Sequence, residues 1–276
     1  MSAASRPNRP SRQLGYTLIE MMVAILIAMF LIAGVLVVEQ SVHNSYADRS
    51  GLSQLDDNER FTMTLLSEVV QSAGYYPDPV ITSVATALPA QSTTAPNGDA
   101  LIFAQDQSVY GLHKTTTVNG TVYSLDSIAV RYMTANNDGI PLCDGTSNKT
   151  GSNAVYTNYF YILTQPSPNP NAAPISYLYC ALETNNTWPA AGVQLVSNVQ
   201  YMQVWYGLHT QAGTTGDYYV DTYVPAADMT NTDWSEVTSV RIEVTFANPL
   251  QLSGEAGQNS VTFTKVIDLM GRVGGA

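Results

Sequence analysis

Residues 15–38 read GYTLIEMMVAILIAMFLIAGVLVV, and from Met21 to Val38 the chain carries no charge. As a helix this uncharged run is about 27 Å long, enough to cross a hydrocarbon core of about 30 Å with slight mismatch. The residues ahead of it, MSAASRPNRPSRQLG, hold Arg6, Arg9 and Arg12 and no acid. Basic residues before an apolar run keep the N-terminus cytoplasmic, so the chain after Glu39 lies on the far side of the membrane. An ordinary secretory signal fits less well. The run is long for a signal h-region, and the nearest small-x-small cleavage candidate, Ser45-Tyr46-Ala47, falls well beyond Val38.

The junction Gly15-Tyr16-Thr17-Leu18-Ile19-Glu20 sets a small residue before the apolar segment and a carboxylate just inside it. Thr17-x-x-Glu20 fits a capping box, in which Glu20 satisfies backbone amides at a helix start. Capping alone does not call for the glycine, the basic leader and this spacing together. The combination resembles the class III leader of type IV prepilins and pseudopilins. The resemblance implies cleavage after Gly15 by a dedicated inner-membrane prepilin peptidase, with Tyr16 becoming the N-methylated first residue and Glu20 the fifth. Phe is the commoner first residue, so Tyr16 departs from the pattern while remaining aromatic. A carboxylate at the bilayer centre costs on the order of 3 kcal/mol, which a cationic partner offsets. The family implies that partner to be the N-terminal ammonium of a neighbouring subunit, making Glu20 the assembly residue.

Removing the leader with its three arginines leaves 8 basic against 22 acidic residues, a mature charge of −14. Leu65, Leu66, Val69, Val70 and Ala73 keep a helical period. No proline interrupts the chain between Tyr16 and Tyr76, and Gly74-Tyr75-Tyr76-Pro77-Asp78-Pro79 supplies the stop. Residues 16–75 thus read as one long helix, apolar all round through 21–38 and amphipathic later, with Gly34 and Gly51 as points where it can bend. Its far stripe needs a sheet to lie on.

From 76 to 276 the period changes to two. Val240, Ile242, Val244 and Phe246 alternate with Arg241, Glu243 and Thr245, and Ile128, Val130 and Tyr132 with Ala129, Arg131 and Met133, two half-buried strands. Asn119-Gly120 reads as a tight hairpin turn between 115–118 and 121–125. Further strands are expected near 100–104, 155–163, 175–182, 198–206, 218–224 and 261–267, and loops over 89–98, 136–153 and 164–174. A long helix on a mostly antiparallel sheet is an α+β arrangement, and it matches the pilin shape. Cys143 and Cys180 are the sole cysteines; an even count in an exported, oxidising setting favours a disulfide between them.

Hydrophobic residues make up 45% of the 276-residue chain, enough for a core, while charged residues make up 12%, about half the usual share. A net charge of −11 without a basic patch argues against a nucleic-acid partner. His43, His113 and His209 stand far apart with no metal-ligand spacing. No nucleophile elbow, P-loop or dinucleotide fingerprint is present, and no cofactor or metal is expected. Asp217, Asp221, Asp228 and Asp233 fail the EF-hand spacing and read as a solvated acidic loop.

The segments VQYMQVWY (199–206), Gly207, Tyr218–Val224 and WSEVTSVRIEVTF (234–246) are similar to the minor pilin family PilW. In place of the Asp/Gly-rich turn common after the YG pair, this chain has His209–Gly216, which puts any ion site there in doubt. The resemblance implies a non-enzymatic minor pilin that primes type IV pilus assembly and stays at or near the tip. Implied partners are other minor and major pilins, the prepilin peptidase, the inner-membrane assembly platform and a tip adhesin of the PilY type. Implied localisation is the bacterial inner membrane, single-pass with a periplasmic head, and then the extracellular pilus. A J-like minor pseudopilin of a type II secretion system carries the same leader and a similar head and stays open as the alternative, as does an exported binding protein or enzyme on a signal anchor.

Overall fold

The computed structural model describes residues 15–80, 82–118, 121–166, 174–209, 219–250 and 260–270. The chain divides into two compact units, Met1–Ser50 and Gly51–Ala276. Helix α1 (Leu18–Gln71) begins in the first and ends in the second, with no break at Gly34 or Gly51. It is slightly shorter than the expected 16–75, because residues 72–74 form a turn in which Gly74 takes φ +78°.

In the first unit every described residue up to Ala47 is exposed. In the second, α1 turns Leu55, Met63, Leu66, Val69 and Val70 inward, the face set by its helical period. Two antiparallel sheets receive it. One has the order β3 (Val109–Leu112), β6 (Ser127–Thr134), β7 (Ala154–Gln165), β8 (Ile175–Thr184), β9 (Val193–Ser197). The other has the order β11 (Thr222–Pro225), β10 (Val199–Leu208), β12 (Val237–Ala247), β13 (Ser260–Asp268). Helix residues Leu66 and Val70 share one core with Val130 and Phe160 of the first sheet and Val204, Val244 and Phe246 of the second. The chain passes from one sheet to the other between β9 and β10 through Asn198, held at φ +63°. Asparagine tolerates this left-handed conformation better than most residues.

Hairpin β1 (Gln91–Thr94) with β2 (Ala100–Phe103) covers the outer face of the five-stranded sheet. There Leu101 and Phe103 pack with Ala129, Tyr159, Tyr161 and Tyr179 in a second buried cluster. This overturns two expectations. Segment 89–98 contains a strand, and β6 is covered on both faces, so Arg131 lies fully buried and not on a solvated face. Strand β11 starts at Thr222 instead of Tyr218, which lies outside the described residues along with Asn119-Gly120. The strands flanking that turn, β4 (Thr115–Val118) and β5 (Thr121–Ser124), pair with Val118 opposite Thr121, the register of a two-residue hairpin.

Cys143, in the connection between β6 and β7, is bonded to Cys180 of β8 across a Cα–Cα distance of 6.0 Å. The Cys143 amide donates to Asn158 Oδ1 at 2.9 Å, so the bridged loop is also held to the sheet by a buried hydrogen bond.

Candidate functional site

The helix start is built by Thr17 and Glu20. The Glu20 amide donates to Thr17 Oγ1 and the Thr17 amide to Glu20 Oε2, both at 3.4 Å, the two halves of a capping box. Glu20 is the single acid in the first turn, where the positive end of the helix dipole favours it. Gly15 and Tyr16 precede the helix without regular structure, and Tyr16 is 88% exposed. The geometry therefore offers an exposed, non-helical dipeptide immediately before a capped apolar helix. Behind it the side chains of Met22, Ile25, Leu26, Phe30, Leu31 and Val35 are all more than half exposed. No water-soluble protein leaves such a run uncovered; it requires lipid or other helices.

The three histidines separate in role. His43 lies on the exposed helix. His113 Nδ1 is 2.7 Å from Asp126 Oδ1, and His209 Nδ1 is 3.1 Å from the Tyr219 carbonyl and 3.7 Å from Asp221 Oδ2. Asp126 joins the two sheets: its amide donates to the Met202 carbonyl, and Val204 N–H donates to its Oδ2, both at 2.9 Å. Burial pushes the Asp126 carboxyl above its ordinary range, and the bonds from Val204 and His113 oppose that shift. Sequence spacing gave no sign of this pairing, since His113 and Asp126 meet only once β4 and β5 fold back.

Among the described residues no group of three His, Cys, Asp or Glu side chains converges as metal ligands. Asp217 and the 210–216 stretch lie outside them. Asp228 falls in a short 3-10 turn (Ala226–Asp228), and Asp233 accepts from the Thr230 amide at 2.7 Å. The buried polar groups that do cluster, around Arg131 and around Asp99, bind backbone and neighbouring side chains of the fold.

A capped helix start, an apolar membrane-anchoring helix and an antiparallel β head together define a pilin-like protein. Residues 10–36 match the prokaryotic N-terminal methylation motif, which spans Gly15, Tyr16 and Glu20. Residues 159–268, from within β7 to the end of β13, match the type IV pilus-assembly protein W family. Together these two matches are those of a PilW-family prepilin-like pilin. Neither a curated protein nor a solved structure matches it.

Proposed function

We propose that this chain is a minor pilin that is cut after Gly15, N-methylated on Tyr16, and inserted through the Glu20 carboxylate into a growing type IV pilus, where it primes assembly and stays at or near the tip. Residues 1–15 are then the leader, 16–75 the assembly helix with its membrane segment at 21–38, and 76–276 the periplasmic and later extracellular head. The observation that carries this reading is the exposed Gly15-Tyr16 dipeptide directly ahead of the capped, wholly uncovered apolar helix. Cleavage would leave a free ammonium four residues from Glu20, and the carboxylate of one subunit would neutralise the ammonium of the next in a low-dielectric fibre core. A head of about 200 residues suits a capping subunit better than the repeating unit of a fibre. Partners are other pilins, the peptidase, the inner-membrane platform and a tip adhesin; the chain itself catalyses no reaction.

The test is the intact mass of the mature protein from membranes of a host with the prepilin peptidase. A chain starting at Tyr16 and heavier by one methyl supports the reading. An uncut chain, or one starting at Asp48, refutes it. Glu20→Ala is expected to be cut normally yet to be missing from sheared pili.

A further inference from the structure

The outer face of the four-stranded sheet carries side chains that the fold does not consume. On β10, Met202, Val204 and Tyr206 point to the core, leaving Tyr201, Gln203 and Trp205 on the other face. On β12 the same alternation puts Arg241, Glu243 and Thr245 outward. Arg241 pairs in register with Trp205, and its guanidinium carbon lies 4.0 Å from the Trp205 ring centroid and 5.5 Å from that of Tyr223 on β11. The side chain is 34% exposed. Its Nε has no hydrogen-bond partner, Glu243 Oε1 stays 3.9 Å away, and no guanidinium nitrogen bonds to another described residue. Further along β10, Tyr201 stacks on Tyr123 of the β4–β5 hairpin with centroids 3.9 Å apart.

A guanidinium within 4.0 and 5.5 Å of two aromatic ring centroids is held by cation–π contact, and its planar fork of donors suits a carboxylate. Trp, Tyr and Arg are also the residue types that dominate binding hot spots. The chain, at −11 overall, offers this cation only the long ion pair to Glu243 and no hydrogen-bonded counter-ion among the described residues. The same net charge repels a polyanion, and a neutral sugar would leave the fork unmatched. A protein side chain, one carboxylate on an otherwise neutral surface, meets both conditions.

We propose that this sheet face docks a partner protein by seating one of its carboxylates on Arg241, with Trp205 and Tyr223 as the floor and the Tyr123–Tyr201 stack as a second contact. The inference rests on the pilin reading only for the compartment in which the partner is met. The experiment uses the full chain in cells that assemble it, with Gln203→benzoylphenylalanine as a photo-crosslinker. The expected result is one protein adduct whose cross-linked peptide contains Asp or Glu. Its yield should fall at least about tenfold in Arg241→Gln and also fall in Arg241→Lys, which keeps the charge and loses the fork. Arg241→Glu combined with Arg in place of the mapped carboxylate should restore it. An intact Cys143–Cys180 bridge and an unchanged mature mass establish that each variant folds and is processed. With those intact, an adduct unaffected by Arg241→Gln, an adduct with saccharide or lipid only, or no protein adduct overturns the docking surface and leaves the Tyr16 and Glu20 reading standing.

Discussion

Arg131→Met should weaken the head more than any surface change, because the guanidinium is buried and clamps the β1–β2 hairpin to the sheet. Nη1 donates to the Pro89 carbonyl at 2.6 Å and to Gln91 Oε1 at 3.3 Å, and Nη2 to the carbonyls of Gln107 at 2.7 Å and Ala104 at 3.4 Å. Its guanidinium carbon sits 4.5 Å from the Phe103 ring centroid. Gln91 Nε2 in turn donates to Glu183 Oε1 at 2.8 Å, and Glu183 is itself buried. Burial lowers the Arg131 guanidinium to about 10, with Glu183 and then Asp106 pulling it back up. The site therefore bears a desolvation cost that the carbonyls and Glu183 offset. Methionine keeps much of the volume but strands these acceptors and leaves a buried carboxylate without its cation, for a loss of about 3–5 kcal/mol. With a urea slope near 2–3 kcal/mol/M, the midpoint of the full chain in mild detergent should drop by about 1–2 M. Tryptophan fluorescence reports it directly, since Trp188 donates to Thr93 Oγ1 and packs against Tyr159 inside the clamped cluster. Adding Glu183→Gln to Arg131→Met should recover a large part of the loss by removing the stranded charge. A midpoint shift below about 0.3 M, or a double variant no better than the single one, would refute the clamp.

Gly111→Ala should cost about 1–3 kcal/mol, because its Cβ would collide with Tyr206 Oη across the two sheets. Tyr206→Phe removes a fully buried hydroxyl with no partner and should be neutral or stabilising by about 1 kcal/mol, and it should relieve Gly111→Ala only in part, since the ring Cζ and Cε2 still lie 2.6 and 2.9 Å from the added Cβ; urea midpoints of the two singles and the double decide this. Cys143→Ser with Cys180→Ser opens a 37-residue separation and should cost about 3–4 kcal/mol, matched by wild type in reductant and insensitive to reductant in the variant. Asp126 has a raised folded pKa, so the folded state binds its proton more tightly than the unfolded chain does, and this group's contribution to stability grows as pH falls toward about 4. Wild type should therefore gain stability relative to Asp126→Asn between pH 7 and pH 4; parallel stability curves would show that the carboxyl is not desolvated.

The helix and the strands of the second sheet were legible because each obeys a single period. Alternation in 240–246 correctly separates Val240, Ile242 and Val244 from Arg241 and Glu243, since that sheet is covered on one face among the described residues. In β6 the same alternation misled. The pattern from Ile128 to Met133 looks half-buried, but the β1–β2 hairpin covers the second face and Arg131 is satisfied there by carbonyls distant in sequence. The short strands β1, β3 and β9, of 4 or 5 residues each, were not expected from the sequence. The cysteine pair followed from an even count. The His113–Asp126 pair did not, because the two sites come together only through the fold-back of β4 and β5.

The two units solve the burial problem by different means, and that difference points to how the protein works. The Gly51–Ala276 unit closes its own core and its own disulfide, and it solvates even its buried cation with its own carbonyls. In the Met1–Ser50 unit no described residue up to Ala47 is buried, although each large aliphatic side chain kept in water forgoes roughly 1.5–3 kcal/mol of transfer energy. Over the uncharged run from Met21 to Val38 that sum exceeds the net stability of an ordinary domain, so the helix exists only in lipid or against other helices. Moving it from one to the other exchanges one apolar surrounding for another at little hydrophobic cost. On the proposed reading, the polar groups at its start decide where it stops. The Glu20 carboxylate would give up a 3.4 Å bond from the Thr17 amide and a 3.5 Å bond from Thr17 Oγ1 on turning to a neighbour's ammonium. Such long bonds are weak, so on that reading the exchange would favour the assembled state.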